Sequence, residues 1–103
     1  MKRVILVCAM GMSTSLLVNK FQKAIKELNL EVEMNAYAEA ELSDYIKDAD
    51  LVLLAPQVGY LEDEISQVCI KNDKPWELIP MNIYASINQT EIGEYLQKIV
   101  LRR

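Results

Sequence analysis

Residues 4–21 read Val-Ile-Leu-Val-Cys-Ala-Met-Gly-Met-Ser-Thr-Ser-Leu-Leu-Val-Asn-Lys-Phe, and the hydrophobic pattern changes partway along them. Arg3 to Val7 is a near-continuous β-branched and aliphatic run, the signature of a strand buried on both faces, as in a parallel sheet. From Ser13 onward the period becomes helical. Leu17, Phe21, Ala24, Ile25 and Leu28 form one stripe, with Lys20, Lys23, Lys26 and Glu27 elsewhere, and Asn29 is a natural stop. A strand feeding directly into a helix is the first half of a crossover unit.

The rest of the chain repeats that alternation. Glu31 to Ala36 alternates polar with apolar residues, which suits a half-exposed edge strand, and Ala38 to Lys47 reads as a short helix. Asp50 to Ala55 is a second apolar strand, ended by Pro56. Leu61, Ile65, Val68 and Cys69 then make a helical stripe, with Glu62, Asp63 and Glu64 at its favourable N-terminal end. Trp76 to Ile79 is a short strand closed by Pro80. Asn88 and Glu91 fit a capping box before a last helix with the stripe Ile92, Leu96, Ile99 and Val100, which Arg102 and Arg103 close. Four strand–helix units predict an α/β three-layer sandwich, a four-stranded parallel sheet of order 2-1-3-4 with helices on both faces. In such sheets ligands bind beyond the carboxyl ends of the strands, where the winding direction switches. That point lies between the first and third strands, so Cys8 and the loop Pro56-Gln57-Val58-Gly59-Tyr60 are expected to meet there.

Composition narrows the chemistry. A chain of 103 residues, 51% hydrophobic and 25% charged, is expected to form a single domain (1–103) that needs neither disulfide nor metal to hold its core. The net charge of −4 argues against nucleic-acid binding. The absence of histidine removes His-based acid–base catalysis, Cys–His dyads and most zinc patterns, and no metal or cofactor is expected. The apolar run after Met1-Lys2-Arg3 is too short for a signal sequence, and no stretch approaches the ~20 apolar residues of a membrane span. Cys8 and Cys69 are therefore expected as reduced thiols of a cytoplasmic protein without membrane insertion.

Cys8 stands where a strand ends and a helix is about to begin. Ala9, Met10, Gly11 and Met12 are expected to form a loop whose N–H groups converge with those of the first helical turn. Gly11 permits a geometry that a β-carbon would resist. Such a nest is an anion site; it stabilises a thiolate and equally a phosphoryl group carried on the sulfur. Ser13, Thr14 and Ser15 add hydroxyl donors or cap the helix. The plainer reading is a buried cysteine followed by ordinary capping residues, which would make the chain a non-catalytic interaction domain. Cys69, on an apolar stripe, reads as core. Gln57 and Tyr60 suit anion or partner binding as well as ordinary loop chemistry, and Trp76 and Tyr84 read as packing or interface residues.

Three chemistries use loops of this kind. A dinucleotide site wants spaced glycines, and only Gly11 is present. A low-molecular-weight phosphatase, or an arsenate-reductase-like enzyme, wants C-x5-R, and Thr14 stands in the arginine's place. A guanidinium on a transferring phosphoryl group is worth about 10³–10⁵ in rate, roughly 4–7 kcal/mol of barrier. Without it a phosphocysteine should persist, which is the property of a carrier.

The stretch CAMGMSTSLLV, residues 8–18, resembles the cysteine loop of the enzyme IIB component of the bacterial sugar phosphotransferase system, lactose/cellobiose/chitobiose type. LLAPQVGYLEDEI, residues 53–65, resembles a second characteristic stretch of that family, and length and element order agree along the whole chain. The resemblance implies that Cys8 accepts phosphate from a phosphohistidine of the IIA component. Cys8 would then pass it to a sugar carried by the membrane IIC component. It also implies that Gly11 to Ser15 form the phosphate loop, with Pro56, Gln57 and Tyr60 beside it. The family often has Tyr-Gly in the fourth loop; here Tyr84 precedes Ala85.

Overall fold

The computed structural model describes residues 1–7 and 12–101, with the side chains of residues 12–15 outside that description. Four strands, β1 (Lys2–Val7), β2 (Val32–Tyr37), β3 (Leu51–Leu54) and β4 (Trp76–Leu78), form one parallel sheet of order β2-β1-β3-β4. This is the predicted topology. The register sets Val7 opposite Tyr37 on one side and Leu54 on the other, so the ends of the central strands are level. All four residues of β3 and the last four of β1 are buried, as the unbroken apolar runs require. Edge strand β2 alternates instead, with Val32 and Met34 inward and Glu33 and Asn35 outward. The ends of β1 and β3 remote from Cys8 are stitched together, Asp50 N–H donating to Arg3 C=O (2.7 Å) and Arg3 N–H to Asp50 Oδ2 (2.8 Å).

Helix α1 (Met12–Glu27) buries Leu17, Phe21, Ala24 and Ile25 and packs on α5 (Gln89–Leu101), which buries Ile92, Leu96 and Ile99. Right-handed crossovers place α1 and α5 on one face of the sheet and the helices after β2 and β3 on the other. Leu28, counted in the α1 stripe from the sequence, lies just past the helix end and leans on α5. A β-carbon at Gly93 would come within 1.9 Å of its Cδ1, so the absence of a side chain there lets the two helices close.

Helices α1 and α3 (Glu62–Lys71) end by the same device. Asn29 and Asp73 take left-handed backbone geometry, at φ 52° and 56°. Leu30 N–H donates to Ile25 C=O and Asn29 N–H to Lys26 C=O. Lys74 to Cys69 and Asp73 to Ile70 repeat that pattern, the paired bonds of a Schellman ending. The stop at Asn29 was expected; the matching one at Asp73 was not.

Two segments depart from expectation. The helix expected over Ala38–Lys47 is broken into a 3-10 turn (Glu39–Glu41), one α turn, α2 (Leu42–Tyr45), and a second 3-10 turn (Ile46–Asp48). That segment offers only Leu42 and Ile46 to the core, enough to bury a single turn. A further turn, α4 (Met81–Tyr84), follows Pro80 without any periodic signal, burying Ile83 alone. The expected closing residues Arg102 and Arg103 lie outside the described residues.

Candidate functional site

The carboxyl ends of the strands gather the segments that the sequence singled out. Val7 C=O accepts from Ala55 N–H (3.0 Å) and Leu54 C=O from Ile79 N–H (2.9 Å), so the exits of β1, β3 and β4 are held level by main-chain bonds. The chain continues from Val7 into Cys8. Cys8, Ala9, Met10 and Gly11 lie outside the described residues; Met12, Ser13, Thr14 and Ser15 form the first turn of α1, their side chains likewise outside. The expected anion loop therefore has its two flanks in place: the buried end of a central strand, and the N-terminus of a 16-residue helix.

The second stretch lies at the same end of the sheet. Pro56 leads a 3-10 segment, Pro56–Leu61, kinked at Val58 and running into α3. Proline suits the first position because its missing N–H would have no partner there. Within the loop the residues divide. Val58, named from the sequence only as a member of this loop, is 2% exposed and plugs the loop onto the core. Its N–H donates to Ala55 C=O (3.0 Å), which shapes the turn. Tyr60, by contrast, is 79% exposed. Gln57 is exposed as well, and its Nε2 donates to the hydroxyl of Tyr84.

Tyr84 was read from the sequence only as a packing or interface residue. Its ring is half-buried, its main-chain oxygen accepts from Lys20 Nζ (2.9 Å), and that ammonium lies 5.9 Å from its ring centroid. Lys20, Tyr84, Ala85 and Gln89 line a groove of about 750 Å³ between α1 and the α4–α5 corner. No sequence period signals the cluster of Lys20, Gln57 and Tyr84, because its three members come from three different elements. The signal that was available is chemical: an aromatic hydroxyl just after the fourth strand.

Trp76 packs against the core at the edge of the sheet, its Nε1 donating to Glu62 Oε2 (3.4 Å), which supports the packing reading. Cys69 is fully buried, and burial pushes its thiol up to about 11 from an ordinary value near 9, so it is protonated and inert near neutrality. Among the described residues no group of three or more His, Cys, Asp or Glu could hold a metal, and no helix is long and apolar enough to cross a membrane.

Residues 3–97 match the family model described as PTS system, Lactose/Cellobiose specific IIB subunit. The oligo-beta-mannoside-specific EIIB component of Bacillus subtilis is 33% identical, with 82% of each chain covered. The galactose-specific EIIB component of Lactococcus lactis is 32% identical, over 88% of this chain and 89% of that one. A lactose-specific EIICB component of Lacticaseibacillus casei is 32% identical over 66% of this chain, which spans only 12% of that longer protein. Among solved structures, the lactose-specific IIB domain of Streptococcus pneumoniae superposes with a TM-score of 0.80 at 19% identity, covering 94% of this chain and 95% of that one, and so shares the fold.

Proposed function

Since this chain belongs to the lactose/cellobiose-specific IIB subunit family of the sugar phosphotransferase system, we propose that it is a phosphocysteine carrier working through Cys8. The family match carries the proposal, because it runs through both the cysteine stretch and the Pro56–Tyr60 stretch. In the proposed reaction the Cys8 thiolate attacks the phosphorus of a phosphohistidine on the IIA component. The P–N bond breaks, the electron pair returns to the imidazole, and a thiophosphate forms. A sugar hydroxyl then attacks the same phosphorus, losing its proton to solvent as the P–S bond breaks and the thiolate is regenerated.

The thiolate and its phosphoryl group need the same support, a convergence of N–H donors at a helix N-terminus, and the start of α1 directly after the cysteine stretch suits that need. Loop residues Ala9 to Ser15 are proposed to bind the phosphoryl oxygens, with Pro56, Gln57 and Tyr60 forming the adjacent wall. Thr14 in the place of a phosphatase arginine leaves the thiophosphate long-lived enough to be handed on. The acceptor is proposed to be a β-linked sugar of the cellobiose, chitobiose or lactose class, held by a membrane IIC component. The lactose-specific EIICB relative, named for both components in one chain, supports that partnership. Work beside a reducing pool, in the cytoplasm, would keep Cys8 as a thiol.

Mass spectrometry of the protein after incubation with a phosphorylated IIA domain provides the test. The wild type should gain one phosphoryl group at Cys8, and Cys8→Ser should gain none while folding normally, since a hydroxyl is a far weaker nucleophile. Sugar phosphorylation at the wild-type rate by Cys8→Ser would sink the proposal. So would ready hydrolysis of an aryl phosphate by the wild type, which would favour the phosphatase.

A further inference from the structure

Three elements at the carboxyl end of the sheet are joined through one residue. Tyr84 closes α4 and engages a different neighbour at each end. Its hydroxyl accepts from Gln57 Nε2 in the loop after β3, and its main-chain oxygen accepts from Lys20 Nζ on α1, 2.9 Å away. The Lys20 ammonium also lies 5.9 Å from the Tyr84 ring centroid and is half-buried, so its bond is partly shielded from water. Gln57 sits exposed on a short 3-10 segment that buried Val58 and half-buried Leu61 anchor from below. The contact therefore adds a tie on the upper side of that loop, and Lys20 joins the same assembly to the helix that begins at Met12.

We propose that Tyr84 is a positioning residue for phosphoryl transfer, holding the Gln57 loop in one fixed arrangement with α1, the helix that follows the cysteine stretch in the chain. The proposal rests on the carrier reading above and deepens it. A thiol that must be reached by a donor protein and then by an acceptor gains from walls that do not rearrange between the two encounters, since a small misplacement of reacting groups is expensive in rate. Tyr84 is also what the fourth loop of this chain supplies in place of the Tyr-Gly pair. The tyrosine supplies both contacts, and Ala85, which follows it, supplies neither of them.

The test combines rates with amide hydrogen exchange on Tyr84→Phe, Gln57→Ala, the double variant, Lys20→Met and Lys20→Arg. Tyr84→Phe keeps the ring and removes only the hydroxyl. It should lower kcat for transfer from the phosphorylated IIA domain about 3- to 10-fold, the size expected for one such bond, at an unchanged KM. Exchange of the amides over residues 56–61 should quicken by a similar factor. Gln57→Ala should slow transfer likewise, with the double variant no slower than the slower single one, because both remove the same contact. Lys20→Met should slow transfer without altering exchange over 56–61, and Lys20→Arg should restore the rate. Unchanged kcat and exchange in Tyr84→Phe would overturn the proposal. So would additive losses in the double variant, or a raised KM at constant kcat, which would mean that Tyr84 touches the donor directly. A wild type that takes up no phosphate overturns the carrier reading and the catalytic purpose of the tie with it. The exchange measurement, which needs no phosphate, would still decide whether Tyr84 holds the loop.

Discussion

The two ends of the sheet are built on different principles. At the amino ends of the strands, main-chain and carboxylate bonds between Arg3 and Asp50 close the central strands. Beside them lies a cleft of mixed character, where Leu28, Leu30 and Val100 stand with Lys2, Glu31 and Gln97. At the carboxyl ends, loops carry Tyr60, Met81 and Ile87 into solvent, at 79%, 62% and 89% exposure, while the polar side chains Gln57, Tyr84 and Lys20 add to the main-chain bonds and the buried Val58 and Ile83 that anchor them. The amino end is closed by a backbone and carboxylate tie beside that cleft. The carboxyl end, the open end, carries exposed apolar side chains on its loops and steadies them with a few directional bonds, and the buried strands and helices form the body between.

That division is sharpest for the aromatic residues. Phe21 is fully buried on α1, facing the sheet, whereas Tyr60 lies at the tip of the loop after β3. Phe21→Ala should lower unfolding free energy by about 3–5 kcal/mol, the lost transfer term plus a cavity, a large share of the total for a domain of this size. Tyr60→Ala should change it by less than about 0.5 kcal/mol, as a substitution in open solvent does. Urea denaturation of both variants measures the contrast. A loss at Tyr60 comparable to that at Phe21 would mean that the open end carries structural weight after all.

The difference between the ends also explains what the sequence could disclose. The four strands, their order and the stripes of α1, α3 and α5 were legible because burial imposes a period. Val4 to Val7 and Leu51 to Leu54 must be apolar throughout, and Leu17, Phe21, Ala24 and Ile25 must recur at helical spacing. The break-up of the second helix was not legible, since one buried pair, Leu42 and Ile46, fits a single turn as well as a longer helix. Nor was α4, four residues with Ile83 alone as its anchor. At the open end the individual residues could be picked out by chemistry, as Gln57 and Tyr60 were, but not their partners. The tie through Tyr84 joins residues 27 and 64 positions apart, and no spacing rule reaches that far. Val58 shows the same limit from the other side: nothing in its loop sequence marks it as the position that the fold uses as a plug.

Cys69 gives the body a pH signature that an exposed thiol lacks. Its folded-state value, pushed up to about 11 by burial, stands above the ordinary value near 9 that applies once the chain unfolds. Below pH 9 both states hold the proton and the contribution to stability is fully present. Between about 9 and 11 the unfolded state releases its proton first, so stability falls as pH rises, by roughly 2–3 kcal/mol in all. The measurement is a difference, which isolates the contribution of Cys69. Wild type and Cys69→Ala are compared in urea at pH 7.5, 9 and 10.5. The variant starts less stable for want of packing, and the gap should narrow with rising pH. A constant gap would show that the Cys69 thiol is not held protonated by the core.

An effect smaller than those at Phe21 and Cys69 is expected at the junction between the two regions, where the chain leaves the open end and enters α5. Glu91 N–H donates to Asn88 Oδ1 (3.2 Å), so Asn88 satisfies one of the first donors of the helix, as its place in the sequence led one to expect. The expected capping box is only half formed, because Asn88 N–H donates to Ser86 Oγ (3.1 Å) rather than to the Glu91 side chain, which fixes the approach of the cap. Immediately before it stands Ile87, almost wholly in solvent, so that side chain does not hold the corner down. Asn88→Ala should therefore cost about 1 kcal/mol and Asn88→Asp almost nothing, because a carboxylate caps equally well and suits the positive end of the helix. Both shifts are readable as changes in urea midpoint at constant slope. If Asn88→Ala proved neutral, the corner would be held instead by the burial of Ile83 and Ile92 on either side. The body, rather than the cap, would then fix where the open end begins.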